Sequence, residues 1–207
     1  MLVVANDVPA RNVAELVALV RSQPGKYSYS SAGIGLSQHR AGELMNGMAG
    51  LDMVHVPNPS NPWTEVIAGR TQLMFGNIAV ALPLIKDGKL RGLAVTSTTR
   101  VAAAPDLPTV SESGLPGFES LSWFGVLAPA GTPPAVLQRL EAELQKAMVT
   151  PAIKERLAVM GAMPGVQNAA GFTQVIKNEI KRWAPKPGAA GAVAAATTSP
   201  ATMAHKP

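Results

Sequence analysis

The stretch with the clearest chemical potential is SYSSAGIGLS, residues 28–37, which is rich in serine and glycine. It begins like a buried strand and leads into a segment with the apolar spacing of an amphipathic helix. The backbone amides of Ser31–Gly35 can converge there on one small volume, and the positive end of the helix dipole favours an anion. We therefore predict an anion site at this loop. The alternative is that the glycines only form a tight turn and that Ser37 only caps the helix.

A second loop, Gly76 and Asn77, follows the apolar run Leu73–Phe75. If that run is a strand parallel to the first one, both loops lie at the same edge of the sheet. Gly76 and Asn77 are therefore a second candidate for ligand contact. The alternative is an ordinary strand-to-helix turn in which Asn77 caps the next helix.

Known nucleotide motifs do not fit the glycine loop. A dinucleotide fingerprint requires a third glycine where this chain has Gln38, and Asp52 precedes the following strand instead of ending it. A phosphate-binding P-loop requires Gly-Lys-Ser or Gly-Lys-Thr, which is absent after Gly35. The loop therefore indicates a small anion and not a nucleotide.

Catalysis has little support among the residues. The chain has no cysteine, no G-x-S-x-G motif and no carboxylate pair placed for acid–base work. His39 opens a predicted helix and His55 lies in a predicted strand, so we interpret both as hydrogen-bonded structural residues, while His205 lies near the end of the chain. We therefore predict no catalytic residues, no metal site and no cofactor.

The composition favours a globular protein. The chain has 207 residues, is 47% hydrophobic and carries a net charge of +5 that is spread along its length. Without a basic stripe or aromatic residues interleaved with Arg or Lys, nucleic acid is an improbable partner. No apolar run reaches the length of a membrane helix, and the sequence as given begins without an export signal.

Strands alternate with short helices in the first half of the chain, which indicates a parallel sheet of βαβ units. Strands are predicted at 2–5, 27–31, 53–56, 72–75 and 90–96, and helices at 13–20, 37–48, 63–68 and 79–86. After a segment rich in proline and glycine, 102–119, we expect a strand at 123–128 and helices at 133–149, 151–160 and 172–183. The residues after Pro185 are mostly Ala, Gly, Thr, Pro and Ser, a composition typical of disorder.

Ordered motifs along the chain resemble the Bug receptors, which are the extracytoplasmic substrate-binding proteins of tripartite tricarboxylate transporters. They are YSSAGIG at 29–35, His39 with AGEL at 41–44, VHVP at 54–57, QLMF at 72–75, ALP at 81–83, GKLRGLAVT at 88–96, PDLPTV at 105–110, GLPGF at 114–118 and SWFGVLAPAGTP at 122–133. The resemblance extends from about Leu2 to Pro185.

This resemblance implies a two-lobed α/β fold of the type II periplasmic-binding-protein kind, which binds a small carboxylate and delivers it to membrane permease subunits. It also implies a periplasmic location, no enzymatic activity and no insertion of the receptor into the membrane. In the family, the matching loop offers amides and hydroxyls to the carboxylate. The ligand contacts predicted on this basis are Ser30, Ser31, Ala32, Gly33, Gly35, Ser37, Gly76 and Asn77.

The chain departs from the family pattern in ways that affect these expectations. Leu36 stands where a hydroxyl residue usually follows the second glycine, Asn58–Trp63 replaces the usual Tyr-Lys-Gly, and the loop after Phe75 lacks a carboxylate. Relatives also carry about a hundred residues before the position of Leu2. We therefore expect a truncated receptor.

The expected organisation has five parts. They are a lobe-crossing strand (1–7), one complete α/β lobe (8–101), a crossing segment (102–119), the returning part of an incomplete second lobe (120–185) and a disordered tail (186–207). The leading hypothesis for the function is a solute receptor. The alternatives are a remnant that binds nothing and an enzyme that uses the same cleft.

Overall fold

A computed structural model describes residues 1–165 and 167–184 of the chain. The chain divides into two compact units. The first consists of Met1–Val126 and Val149–Pro164, and the second of Leu127–Met148 and the described residues from Gly165 onward. The tail predicted at 186–207 lies outside the described residues. The predicted lobe boundaries remain predictions.

The first unit contains a five-stranded sheet with the strand order β3-β2-β4-β1-β5. The strands are β1 (Leu2–Val4), β2 (Ser28–Ser31), β3 (Val54–Pro57), β4 (Leu73–Phe75) and β5 (Arg91–Ala94). β2 pairs in parallel with both β3 and β4, whereas β1 lies between β4 and β5 and is antiparallel to both. The sheet is therefore mixed, and the expectation of a purely parallel sheet was wrong for β1.

The helices of the first unit begin where the sequence predicted them. They are α1 (Val13–Arg21), α2 (Ser37–Ala49), α3 (Pro62–Ile67), α4 (Ile78–Lys86) and α6 (Pro151–Val159). The amide of Glu15 donates to the side chain of Asn12 at 2.9 Å, which caps α1. α2 differs, because its N-cap is Leu36 and no side chain caps it. The hypothesis that Ser37 caps α2 was therefore wrong.

The core of the first unit lies against the sheet. All three residues of β1 and of β4 are buried, and the apolar stripe of α1 is buried through Val13, Leu16 and Val20. The segment that follows β5 also contributes, with Val110 and Phe118 fully buried. This segment was predicted as a crossing between lobes, and in the structure it packs into the core of the first unit.

No strand forms over residues 123–128, so that prediction was wrong. The residues are apolar and rich in types that favour strands, but their backbone forms no ladder of hydrogen bonds with other described residues. Phe124 is 90% exposed and Val126 is 72% exposed. An apolar, β-prone segment forms a strand only when a neighbouring strand accepts its backbone groups.

The second unit contains two helices, α5 (Pro134–Met148) and α7 (Ala169–Trp183). The side chain of Asn168 caps α7 by accepting from the amide of Gly171 at 2.8 Å. Glu141 of α5 accepts from the amide of Ala169 at 3.2 Å, which joins the two helices. Neither helix has a buried residue.

Candidate ligand-binding site

The candidate site lies at the edge of the sheet where β2 and β4 end. These strands are parallel neighbours, with Tyr29 opposite Leu73 and Ser30 opposite Met74. From β2 the chain passes through α2 to β3 on one side, whereas from β4 it passes through α4 to β5 on the other. The two connections leave in opposite directions, an arrangement that is expected to leave a crevice between them. Ligands of open α/β sheets bind at such a switch point, outside the carboxyl ends of the strands.

The glycine loop occupies one side of this crevice. Gly33 has φ of 155° and Gly35 has φ of 81°, both in the region that side chains strongly disfavour. These conformations turn the chain from β2 into α2. The tight turn is therefore present, while the convergence of its amides on a ligand remains a prediction.

Three amides of the loop already have acceptors within the protein. The amide of Ala32 donates to Gln38 Oε1 at 3.0 Å, and that of Gly33 donates to Ser31 Oγ at 3.1 Å. The amide of Gly35 donates to His39 Nδ1 at 3.1 Å. All three acceptors are side-chain atoms, and those of Gln38 and His39 can turn away when a better acceptor arrives. The predicted role of Ala32, Gly33 and Gly35 therefore stays a prediction, and it now requires an exchange of partners.

The serine hydroxyls also form hydrogen bonds within the protein. Ser30 is buried and donates to the carbonyl of Pro62 at 3.0 Å, so its hydroxyl anchors the start of α3. Ser31 is buried as well, and its Oγ lies 2.6 Å from His55 Nε2. Ser37 is half-buried and accepts a hydrogen bond from Ser122 at 2.8 Å. Their contact with a ligand remains a prediction.

Gly76 and Asn77 form the other side of the crevice. The carbonyl of Gly76 accepts from the Met1 nitrogen at 2.9 Å, and the ring of Trp63 packs directly on Gly76. Asn77 is exposed, and its side chain accepts from the amide of Ala79 at 2.9 Å, which caps α4. The alternative interpretation of Asn77 as a cap is confirmed, while ligand contact at either residue remains a prediction.

A cluster of aromatic rings, those of Tyr29, His39 and His55, packs next to the glycine loop. The ring centroids of His39 and His55 lie 4.2 Å apart, and those of Tyr29 and His55 lie 5.0 Å apart. The hydroxyl of Tyr29 donates to Glu43 Oε1 at 2.6 Å. The prediction that both histidines are hydrogen-bonded structural residues is confirmed, since His39 accepts from Gly35 and His55 contacts Ser31.

Electrostatics keep His55 neutral in this cluster. Burial lowers the pKa of His55 to about 4, and the neighbouring His39 acts in the same direction against a weaker opposing effect of Glu43. Burial and the hydrogen bond to Glu43 raise the pKa of Tyr29. Neutral His55 can accept a hydrogen bond from the Ser31 hydroxyl at Nε2, which orients the serine oxygen that accepts from the amide of Gly33. This cluster was not predicted from the sequence, and its signal there is the register pair Tyr29 and His55 on adjacent strands.

A cavity of about 390 Å³ lies elsewhere in the first unit, along α4. It is lined mainly by apolar residues of α4 and of the end of α6, with Lys86 and Asp87 at one side. None of the residues predicted to contact a ligand lines this cavity. It has no convergent amides or hydroxyls comparable to those of the crevice, so we place the site at the crevice. Within the described residues, no group of acidic, histidine or cysteine side chains is suited to hold a metal, and no helix has the length and apolarity needed to cross a membrane.

The chain is similar to known proteins in sequence and in fold. Residues 1–191 match the family described as "Tripartite tricarboxylate transporter family receptor". A UPF0065 protein from Pseudomonas sp. (strain P51), named for the tcbD-tcbE intergenic region, is 38% identical over 190 residues, which are 88% of this chain and 55% of that protein. The chain thus spans about half the length of this curated relative.

Solved structures share the fold. The R. palustris protein Rpa4515 with adipate has a TM-score of 0.81 at 31% identity, covering 88% of this chain and 62% of that one. MatC from Rhodopseudomonas palustris with bound malate has a TM-score of 0.77 at 28% identity, covering 88% of this chain and 64% of that one. Members of the matched family are substrate-binding receptors and not enzymes. On its sequence and on its α/β fold of the periplasmic-binding-protein type, this chain belongs to the tripartite tricarboxylate transporter receptor family.

Proposed function

We propose that this chain is a solute receptor that binds a small carboxylate at the crevice between β2 and β4. The observation that carries the proposal is the switch point, where the glycine loop and the Gly76–Asn77 loop diverge at one edge of the sheet. Relatives of known structure are described with adipate and with malate, and both ligands are small carboxylates. As a family member, the protein would work in the periplasm and deliver its ligand to membrane permease subunits of a tripartite transporter.

Binding would proceed by exchange of acceptors at the loop. A carboxylate oxygen replaces Gln38 Oε1 at the amide of Ala32 and His39 Nδ1 at the amide of Gly35. Hydrogen bonds to a charged acceptor are about twice as strong as those between neutral groups, so the exchange is favourable. The positive end of the α2 dipole adds about 0.3–1 kcal/mol at an exposed site. The bond between Gly33 and Ser31, which is fixed by His55, keeps the loop in shape during the exchange.

Calorimetry against a panel of di- and tricarboxylates and aromatic acids tests the proposal. Since the chain spans 62% of the adipate-bound relative, the panel is run on two proteins. One is the 207-residue chain, and the other is a chimera with the segment of that relative that has no counterpart here. Each charge-assisted hydrogen bond absent from the shorter protein costs about 1.5–3 kcal/mol, so two or three lower its affinity by about 10² to 10⁶.

We therefore expect tight binding by the chimera and weak binding by the 207-residue chain. Gly33→Val in the chimera should abolish binding, because φ of 155° is strained for valine. Gly47→Ala, on the solvent side of α2 with open space around it, is the matched control and should bind normally. If neither protein binds any carboxylate, the chain is a remnant without binding activity, and the proposal is wrong. Normal affinity of the Gly33→Val variant would contradict the assignment of the loop.

A further inference from the structure

The stretches that form the rim of the crevice contain no charged side chain, although they contain hydroxyl and amide side chains. Four stretches of chain meet at this edge of the sheet, at residues 27–39, 71–85, 92–99 and 120–126, and none contains Asp, Glu, Lys or Arg. The last stretch is held at the rim by two hydrogen bonds. The amide of Ser120 donates to the carbonyl of Thr96 at 2.9 Å, and Ser122 donates to Ser37 at 2.8 Å.

Apolar side chains are exposed next to the loop amides. Ile34 is 59% exposed and Leu36 is 49% exposed, although large aliphatic side chains near a helix start commonly pack inward. Leu36 folds back toward the loop, since its Cδ1 lies 3.6 Å from the position that a Cβ on Gly33 would take. The aliphatic side chains of Ile34 and Leu36 therefore form an apolar surface, called the wall below, beside the amides that would bind the carboxylate.

This arrangement restricts the ligand. Ligand hydroxyls that face Leu36 and Ile34 would lose hydrogen bonds to water, because these two side chains offer no replacement. An alkyl or aryl body placed against the same side chains would instead remove apolar surface from water on both sides. The apolar surface beside the loop amides thus matches a ligand with one anionic end and an apolar body.

We propose that Leu36, together with Ile34, selects carboxylates with an apolar body over hydroxylated carboxylates of the same size. This inference rests on the proposed function and specifies the substrate class of the same site. The loop amides bind the carboxylate, and Leu36 and Ile34 contact the first carbons of the ligand. Affinity should therefore increase with alkyl length at constant charge.

Titrations followed by the NMR shifts of the Gly33 and Gly35 amides test this on the 207-residue chain, since they report weak binding at the loop itself. The probes are acetate, butanoate, hexanoate and gluconate, the last two having the same carbon number and charge. We expect about threefold tighter binding per methylene that reaches the wall, and hexanoate at least about tenfold tighter than gluconate.

The variant Leu36→Ser should reduce the affinity ratio of hexanoate to acetate by about three- to tenfold, because the longer alkyl chain loses more apolar contact. The matched control Ile67→Ser removes another exposed aliphatic side chain, at the end of α3, and should leave the ratio unchanged. Equal affinity for hexanoate and gluconate, or an unchanged ratio in Leu36→Ser, would overturn this inference while leaving the proposed function in place. No shift of the loop amides with any carboxylate would overturn this inference together with the assignment of the loop, while binding by the chimera would still test the proposed function.

Discussion

The two units contain amphipathic helices that differ in whether their apolar face is buried. α1 in the first unit and α5 in the second both place apolar residues at helical spacing along one face. Leu16 of α1 is fully buried against the sheet, whereas Leu140 of α5 is 49% exposed. Among the described residues the second unit has no strand, so its helices have no sheet to cover. The comparison shows that periodicity predicts a helix and its apolar face, while burial requires a partner surface.

The largest expected effect is a pair of leucine truncations that tests this difference. Leu16→Ala should lower the free energy of unfolding by about 2–5 kcal/mol, because it leaves a cavity in the core. Leu140→Ala should change it by less than about 0.5 kcal/mol, as at other exposed positions. Urea unfolding followed by circular dichroism measures both. A loss of several kcal/mol in Leu140→Ala would show that α5 is covered in solution and would break the comparison.

A pair of glycine substitutions sharpens the comparison within the single helix α2. The ring of Tyr29 packs directly on Gly42, so Gly42→Ala should destabilise the protein by about 1–3 kcal/mol through overpacking. Gly47 has open space around it, so Gly47→Ala should stabilise the protein by about 0.5–1 kcal/mol through helix propensity. Thermal or urea unfolding gives both values. The same sign for the two variants would contradict the contact between Tyr29 and α2.

The smallest expected effect is an acid sensitivity that belongs to the first unit. The pKa of His55 is lowered to about 4 in the folded protein from an ordinary value of 6.5. The unfolded chain therefore binds a proton that the folded one excludes, and stability is lost as the pH falls from about 6.5 toward 4. We expect a loss of about 1 kcal/mol, because partial exposure of the ring screens the effect.

NMR titration of the His55 ring protons should give a midpoint near 4. Urea unfolding at neutral and mildly acidic pH should show that His55→Gln removes this part of the acid sensitivity, since glutamine does not titrate. His39, Glu43 and Tyr29 surround the ring and remain in both proteins. A midpoint near the ordinary value would contradict the neutral histidine beneath the loop.

Much of the site was accessible from the sequence because its signals are local. The glycine loop, Asn77 as a helix cap and the helix that follows β2 each depend on residues within a few positions of one another. The hydrogen bonds that the amides of Ala32 and Gly35 make within the protein were not predicted, because they depend on the rotamers of Gln38 and His39. Neither was the contact between Ser122 and Ser37, which joins residues 85 positions apart.

The sequence by itself determined where the helices and most strands lie, because capping residues, apolar spacing and glycine positions act over a few residues. It also determined the family, because the family's motifs occur in this chain in the same order. Only the tertiary structure decided that β1 is antiparallel in the middle of the sheet, that Tyr29, His39 and His55 form one cluster, and that residues 123–128 form no strand. Strand pairing and burial depend on which distant surfaces meet, and a strand or an apolar helix face is stabilised only by a neighbour that local sequence does not specify.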